Sequence, residues 1–141
     1  DLASKAEVVE LGKDIAMQIA AMNPNYLDKS DVDASVLDKE KEILLAQAIE
    51  ENKTAAKPKP QEIIEKMVMG RVGKYYEENC LLQQAFVKEN KISVEKHVAE
   101  IAKSCGGSIT VKGYVRFATG EGIEKKEEDY AAEVERLAKG L

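Results

Sequence analysis

The stretch from residue 116 to residue 134, RFATGEGIEKKEEDYAAEV, has the residue types of a phosphate-binding loop. Gly120 and Gly122 bracket Glu121, and two lysines follow. A phosphate cradle, however, needs the spacing G-x-x-x-x-G-K-[ST] or G-x-G-x-x-G, which aims backbone N–H groups at the phosphate oxygens. Only one residue separates these two glycines, and the acidic side chains that follow would repel a phosphate. We therefore exclude a nucleotide cradle at this stretch.

The remaining reactive side chains are two cysteines and one histidine. Cys80 and Cys105 have no Cys or His neighbour at metal-ligand spacing, so we expect reduced, partly buried thiols. His97 lies beside an apolar stripe and has no second histidine and no Ser or Cys at a telling spacing, so we expect a structural role. Without a nucleophile–base pair, a metal cluster or a cofactor loop, the sequence predicts neither an enzyme nor a cofactor.

Composition excludes further classes. The 141 residues are 44% apolar and 33% charged, a balance typical of a globular domain, with a net charge of −5. Nucleic-acid binders usually carry clustered Lys and Arg with interleaved aromatic residues, and this acidic chain does not. No apolar run approaches the ~20 residues of a membrane span. We expect a cytoplasmic protein with no nucleic-acid and no membrane partner.

Apolar residues at steps of three and four positions predict three helices before residue 80. We expect these helices at about residues 4–22, 33–52 and 60–79. On the first helix, the core-facing residues are predicted to be Val8, Leu11, Ile15, Ile19 and Met22. The connection NKTAAKPKP contains two prolines and no large apolar group, which is typical of a loop. The second and third helices should therefore form an antiparallel hairpin, whose stripes close on each other or on a partner.

A fourth helix is predicted after an extended or irregular stretch, LLQQAFV, at residues 81–87. Ser93 should cap this helix and Gly106-Gly107 should end it. Its inward-facing residues are predicted to be Val94, Val98, Ile101 and Cys105.

From Ile109 to Phe117 the apolar residues alternate with polar ones, which predicts a half-buried strand. Gly113 falls on its inward side and is expected to mark a bulge or a close backbone approach. A lone strand cannot satisfy its backbone groups, so it must pair with LLQQAFV, with sequence upstream, or with both. A last helix from about Glu127 carries the apolar seam Tyr130, Val134, Leu137 and Leu141. The predicted class is α+β.

Several motifs resemble, in order, the C-terminal part of the elongation factor Ts family. They are KDIAMQIAAMNPNYL, VLDKEKEILLAQA, PQEIIEKMVMGRVGKYYEENCLLQQAFVK, ITVKGYVRF and the final RFATGEGIEKKEEDYAAEV. The resemblance extends over essentially the whole chain. The resemblance implies a two-layer α/β core with a small antiparallel sheet, an inserted antiparallel helical hairpin and a C-terminal helix. It places a core subdomain at residues 1–30 and 81–119, the hairpin at 31–80 and a C-terminal module at 120–141.

The resemblance also implies a function. Members of this family are guanine-nucleotide exchange factors that promote GDP release from elongation factor Tu. The exchange factor lowers the affinity of elongation factor Tu for GDP, and GDP lowers its affinity for the exchange factor by the same factor. Their wedge, an Asp-Phe pair in a T-D-F-V motif, is absent from these 141 residues. We expect a C-terminal portion that holds part of the surface for elongation factor Tu. The alternative is a self-association scaffold without exchange activity, dimerised through the hairpin or the core.

The same resemblance implies the contact residues. They are Phe86, Val87, Tyr130, Val134 and Leu137. Val87 matches an apolar residue of a Q-P-F-V segment, in which Ala85 here replaces the usual proline. Leu137 matches a position that packs on the nucleotide-binding domain of the partner. For Leu137 the alternative is packing of the seam on its own core.

Overall fold

The computed structural model describes residues 2–123, 134 and 137–139. Its helices are α1 (Ala6–Met22), α2 (Ala34–Thr54), α3 (Gln61–Asn79) and α4 (Val94–Ser104), and its strands are β1 (Ala85–Phe86) and β2 (Glu89–Ser93). Short 3₁₀ helices span Leu2–Ser4 and Lys29–Asp31. The two strands form an antiparallel sheet, so the predicted α+β class is confirmed. No helix in these described ranges is long and apolar enough to cross a membrane.

Helix α1 ends where the sequence predicts, and Leu11, Ile15 and Ile19 lie in or against the core as predicted. Asn23 adopts the left-handed conformation, with φ of 45°, and its N–H bonds the carbonyl of Ile19, which closes the helix before Pro24. Met22 is 46% exposed, so its predicted place in the core is wrong. Asp14 and Gln18 lie on the buried face instead. Both polar side chains have partners inside the fold. A prediction from apolar periodicity cannot identify such buried polar residues.

The main core lies between α1, α4 and the chain that leads into β1. Its buried members are Leu11, Ile19, Leu81, Phe86, Val94 and Val98. The predicted caps of α4 are confirmed. Ser93 Oγ accepts a hydrogen bond from the N–H of Lys96 at 3.2 Å, and the N–H of Gly107 bonds the carbonyl of Ala102 at 3.1 Å.

Helices α2 and α3 pack side by side as a hairpin with a small core of its own. That core consists of Ala48, Ile64 and Val68, flanked by Leu44. Across the connecting loop, Asn52 Oδ1 accepts from the N–H of Lys59 at 2.6 Å, and Asn52 Nδ2 donates to the carbonyl of Lys59 at 3.0 Å. The end of α2 thus contacts the segment that leads into α3, and Ala48 of α2 packs with Ile64 and Val68 of α3, so the two helices run antiparallel.

The two ends of this hairpin are joined at its base. Tyr26 and Cys80 form an isolated parallel bridge, in which the N–H of Leu81 bonds the carbonyl of Tyr26 at 2.9 Å. The N–H of Leu82 bonds the carbonyl of Leu27 at 3.0 Å. The chain thus enters and leaves the hairpin at adjacent points.

The predicted strand at Ile109–Phe117 is wrong: the structure assigns no strand there. Ile109, Val111 and Tyr114 pack partly on the main core, whereas Val115 is exposed and Phe117 is 91% exposed. Odd-numbered residues face the core before Gly113, and the even-numbered Tyr114 faces it afterwards. A Cβ added at Gly113 would meet no atom within 4 Å, so the expected close backbone approach is also wrong. A strand requires a hydrogen-bonded neighbour. In the described part of the chain β1 pairs with β2 instead, and neither strand pairs with this segment.

Candidate partner-docking loop

The turn between β1 and β2 presents an apolar side chain to solvent. Phe86 of β1 pairs with Glu89 of β2, so Val87 and Lys88 are the two residues of the turn between the strands. The side chain of Val87 is 39% exposed. We call residues 84–89 the docking loop, because the residues predicted to contact a partner include Phe86 and Val87.

The backbone of this turn is not of the type that two-residue hairpins prefer. The favoured type I′ and II′ turns need a positive φ at the first central residue. Among the described non-glycine residues, only Asn23 has a positive φ. Val87 and Lys88 therefore form an intrinsically less favourable turn, and the shifted register between Ala85 and Phe86 adds to the irregularity. Contacts from outside the β1–β2 hairpin must therefore help to hold the conformation of this turn.

Gln18 of α1 supplies one set of these contacts. Its side chain is fully buried. Gln18 Nε2 donates to the carbonyl of Ala85 at 3.0 Å and to Gln84 Oε1 at 3.2 Å, while Gln18 Oε1 accepts from the N–H of Val87 at 2.8 Å. Gln84 Nε2 in turn donates to the carbonyl of Glu78 at 3.0 Å. One buried carboxamide thus bonds the backbone on both sides of Phe86.

Asp14, one turn earlier on α1, contacts the next residue of the docking loop. Its buried carboxylate pairs with the ammonium group of Lys88. The hydrogen bond to Asp14 is the main reason that the pKa of Lys88 is raised, because it favours the charged ammonium. His97 Nε2 lies 3.6 Å from Asp14 Oδ2. The imidazole of His97 also stacks on the ring of Phe86, with centroids 4.2 Å apart and planes 15° apart.

The five predicted contact residues have different surroundings. Phe86 is only 4% exposed and belongs to the main core, whereas its neighbour Val87 faces solvent. Val134 and Leu137 are exposed, at 64% and 73%, and both adopt helical conformation. Tyr130 lies outside the described residues, as does most of the predicted last helix. A contact of any of these five residues with a partner stays a prediction.

Sequence reasoning missed the residues that hold the docking loop, Asp14, Gln18 and Gln84. A signal for two of them was present, because Asp14 and Gln18 are four residues apart and follow Leu11 at helical spacing. Polar residues on an apolar stripe indicate buried hydrogen bonding. Their partners, however, lie 66 or more residues away along the chain.

Other reactive groups in the described part of the chain do not converge on a reaction centre. Cys80 and Cys105 are both free and buried. Burial is the main cause that raises the pKa of the Cys80 thiol to about 11, which makes it a poor nucleophile at neutral pH. Within the described residues, no three His, Cys, Asp or Glu side chains are grouped to hold a metal ion. Loops that a rigid scaffold holds in position often carry binding residues, so the docking loop is a candidate binding surface.

Comparison with known proteins shows the family of this chain. The family profile described as Elongation factor TS matches residues 2–121. A protein of Clostridium botulinum (strain Okra) named elongation factor Ts is 50% identical over 131 residues, and one of Clostridium kluyveri with the same name is 48% identical. The chain therefore belongs to the elongation factor Ts family. Each alignment covers 93% of this chain but 41% of the relative, so the chain spans about two fifths of their length.

Proposed function

We propose that this chain carries a docking surface for elongation factor Tu, in an exchange factor that promotes GDP release during translation. The observation that carries the proposal is the exposure of Val87 on a turn that α1 holds by buried hydrogen bonds. A preorganised apolar contact binds without a large ordering cost. Membership of the elongation factor Ts family supplies the identity of the proposed partner.

The exposed side chains of Val134 and Leu137 support a second contact in the C-terminal segment. A leucine that packed on its own core would be mostly shielded from solvent, whereas Leu137 is 73% exposed. An amphipathic helix that docks in a groove of a partner has this property before it binds. Phe86 lies next to Val87 but is buried in the main core, so its proposed contribution to the contact is indirect.

The proposed role of these 141 residues is binding rather than exchange. They contain no T-D-F-V motif, the segment expected to open the nucleotide site. A ligand changes the affinity of another only through differential contacts in the two states. Binding of this surface alone should therefore leave the rate of GDP release close to its spontaneous value.

The test combines two measurements on elongation factor Tu. Stopped-flow fluorescence follows release of a labelled GDP analogue while the chain is titrated in, and biolayer interferometry measures binding of the same pair. We expect binding without faster release. Faster release at stoichiometric amounts would contradict the proposed division of roles, and absence of binding would contradict the docking surface.

A matched pair of variants locates the C-terminal contact. Leu137→Asp should weaken binding about tenfold or more, as expected for loss of an apolar anchor. Ala138→Asp places the same charge one residue further along on an exposed position and should have little effect. Circular-dichroism melting serves as the control for folding. Equal losses of binding and of melting temperature in Leu137→Asp would favour packing on the core of the chain itself.

A self-association scaffold is the second candidate, favoured by apolar side chains on the outside of the hairpin. Ile43, Ile49 and Met69 are exposed although α2 and α3 already share a core. Exposed apolar surface of this kind often marks an interface. Sedimentation velocity over a wide concentration range tests this candidate: a dimer that ignores elongation factor Tu would replace the proposed function, and a monomer that binds it would exclude the scaffold.

A further inference from the structure

We propose that Gln18 is a positioning residue for the docking loop, holding Val87 in the conformation in which it meets its partner. The role of Val87 in binding elongation factor Tu rests on the proposed function. The support of the docking loop by Gln18 rests on the hydrogen bonds of the loop itself. Gln18 itself does not touch the partner, since its side chain is fully buried.

The carboxamide of Gln18 satisfies the backbone on both sides of Phe86. It accepts from the N–H of Val87 at 2.8 Å and donates to the carbonyl of Ala85 at 3.0 Å. A carboxamide offers both an acceptor and a donor from one planar group. An apolar residue of similar size would fill the space and bond neither group, so two backbone polar groups would lose their partner.

The docking loop needs this support from α1 because its own backbone conformation and hydrogen bonds are not enough to fix the turn. Val87 and Lys88 both lack the positive φ of the favoured hairpin turns, and the register shifts immediately before them. Strand β1 has only two residues, so ladder hydrogen bonds contribute little. Asp14 anchors the Lys88 side chain, but its ion pair does not constrain the backbone of Val87.

The support also connects the loop to the rest of the fold. Gln18 Nε2 donates to Gln84 Oε1 at 3.2 Å, and Gln84 Nε2 donates to the carbonyl of Glu78, near the end of α3. The conformation at Val87 is thus tied to α1 and α3 together. Buried networks of this kind impose one geometry because every alternative leaves polar groups unpaired.

A double-mutant cycle on binding to elongation factor Tu separates positioning from general stability. The variants are Gln18→Leu, Val87→Ala and the two combined. If Gln18 acts through Val87, Gln18→Leu alone should weaken binding about tenfold, and should add less than about twofold once Val87 is alanine, because interacting sites are non-additive. A merely structural role would give equal losses in both backgrounds and would overturn the inference.

Gln83→Leu is the matched control, because it is the same substitution one residue before the docking loop. Gln83 Nε2 donates to Asp28 Oδ1 at 2.7 Å, and Gln83 Oε1 accepts from the N–H of Lys29 at 3.1 Å. It therefore loses a similar number of hydrogen bonds without touching Ala85 or Val87. We expect its affinity for elongation factor Tu to stay within about twofold of the unmodified chain, a change too small to indicate a lost anchor.

Amide exchange of Val87 tests the geometric part without the partner, and its first measurement, on the unmodified chain, needs no variant. The N–H of Val87 should be protected in the unmodified chain, although it lies in an exposed turn, and its rate should rise at least about tenfold in Gln18→Leu while Val98 in α4 keeps its protection. Fast exchange of Val87 in the unmodified chain would overturn the inference. If Val87 is protected but the chain does not bind elongation factor Tu, the proposed function fails and the positioning by Gln18 stands.

Discussion

At the residue scale, the surroundings of a side chain decide its role more than its type does. Asp14 and His97 are both acid–base groups, yet Asp14 pairs with Lys88 and His97 stacks on Phe86. The prediction of a structural role for His97 agrees with this stacking. The reason for the role could not be read from the sequence, because Phe86 and Asp14 reach His97 only in the folded chain.

The Cys80 thiol leads to a prediction about pH. Burial, followed by the charges of Asp28 and Asp31, raises the pKa of Cys80 from 9.0 to about 11. The unfolded chain releases the thiol proton near pH 9, while the folded chain retains it to about pH 11. Stability from this group is therefore complete below pH 9 and falls as pH rises to about 11.

Urea unfolding at pH 8 and at about pH 10.5 measures this loss, since the two values lie on either side of the unfolded thiol's transition. Cys80→Ala is the control, because it shares every other titrating group. We expect the free energy of unfolding to fall more in the unmodified chain than in Cys80→Ala. Equal losses in both would show that the thiol does not stay protonated in the folded state.

At the element scale, the helices followed from the sequence and the strands did not. Helices α2 and α3 each begin and end within two residues of the predicted helix limits, because helical hydrogen bonds and caps are local. The alternation at Ile109–Phe117 predicted a strand that the structure does not contain. A strand depends on a partner elsewhere, so alternation alone cannot establish it.

The loop of the hairpin provides a prediction at this scale. Asn52 bonds both the N–H and the carbonyl of Lys59, so it closes the connection between α2 and α3. Asn52→Ala should destabilise the hairpin by about 1–2 kcal/mol, the usual cost of losing such bonds at a partly exposed site. Amide exchange in α2 and α3 is the measurement. Lys57→Ala in the same loop is the control, and equal effects of the two changes would contradict a role for Asn52.

At the scale of the whole molecule, the described part of the chain has two separate hydrophobic clusters. The main core uses α1, α4 and the docking loop, while the hairpin has its own small cluster. The backbone bridge of Tyr26 and Cys80 joins the segments that lead into and out of the hairpin. No buried member of the main core in the described ranges comes from residues 34–74. The hairpin should therefore be dispensable for folding of the core.

Replacing residues 34–74 by a short flexible linker tests this independence. The closure cost is small because the hairpin enters and leaves at adjacent points. We expect α4 amides such as Val98 to remain protected from exchange, and the ring contact between Phe86 and His97 to persist in nuclear Overhauser spectra. Loss of protection throughout α4 would show that the hairpin is part of the same cooperative unit.

The sequence by itself determined the four helices α1 to α4, the caps of α4 and the likeness to the elongation factor Ts family. These depend on periodicity, local backbone chemistry and motif order. Only the tertiary structure decided that Asp14 and Gln18, rather than Met22, face inward on α1. It also decided that β1 pairs with β2 and that Val87 is braced from α1. The physical reason is that buried polar groups and strands need partners far away along the chain, and folding alone determines which partners meet.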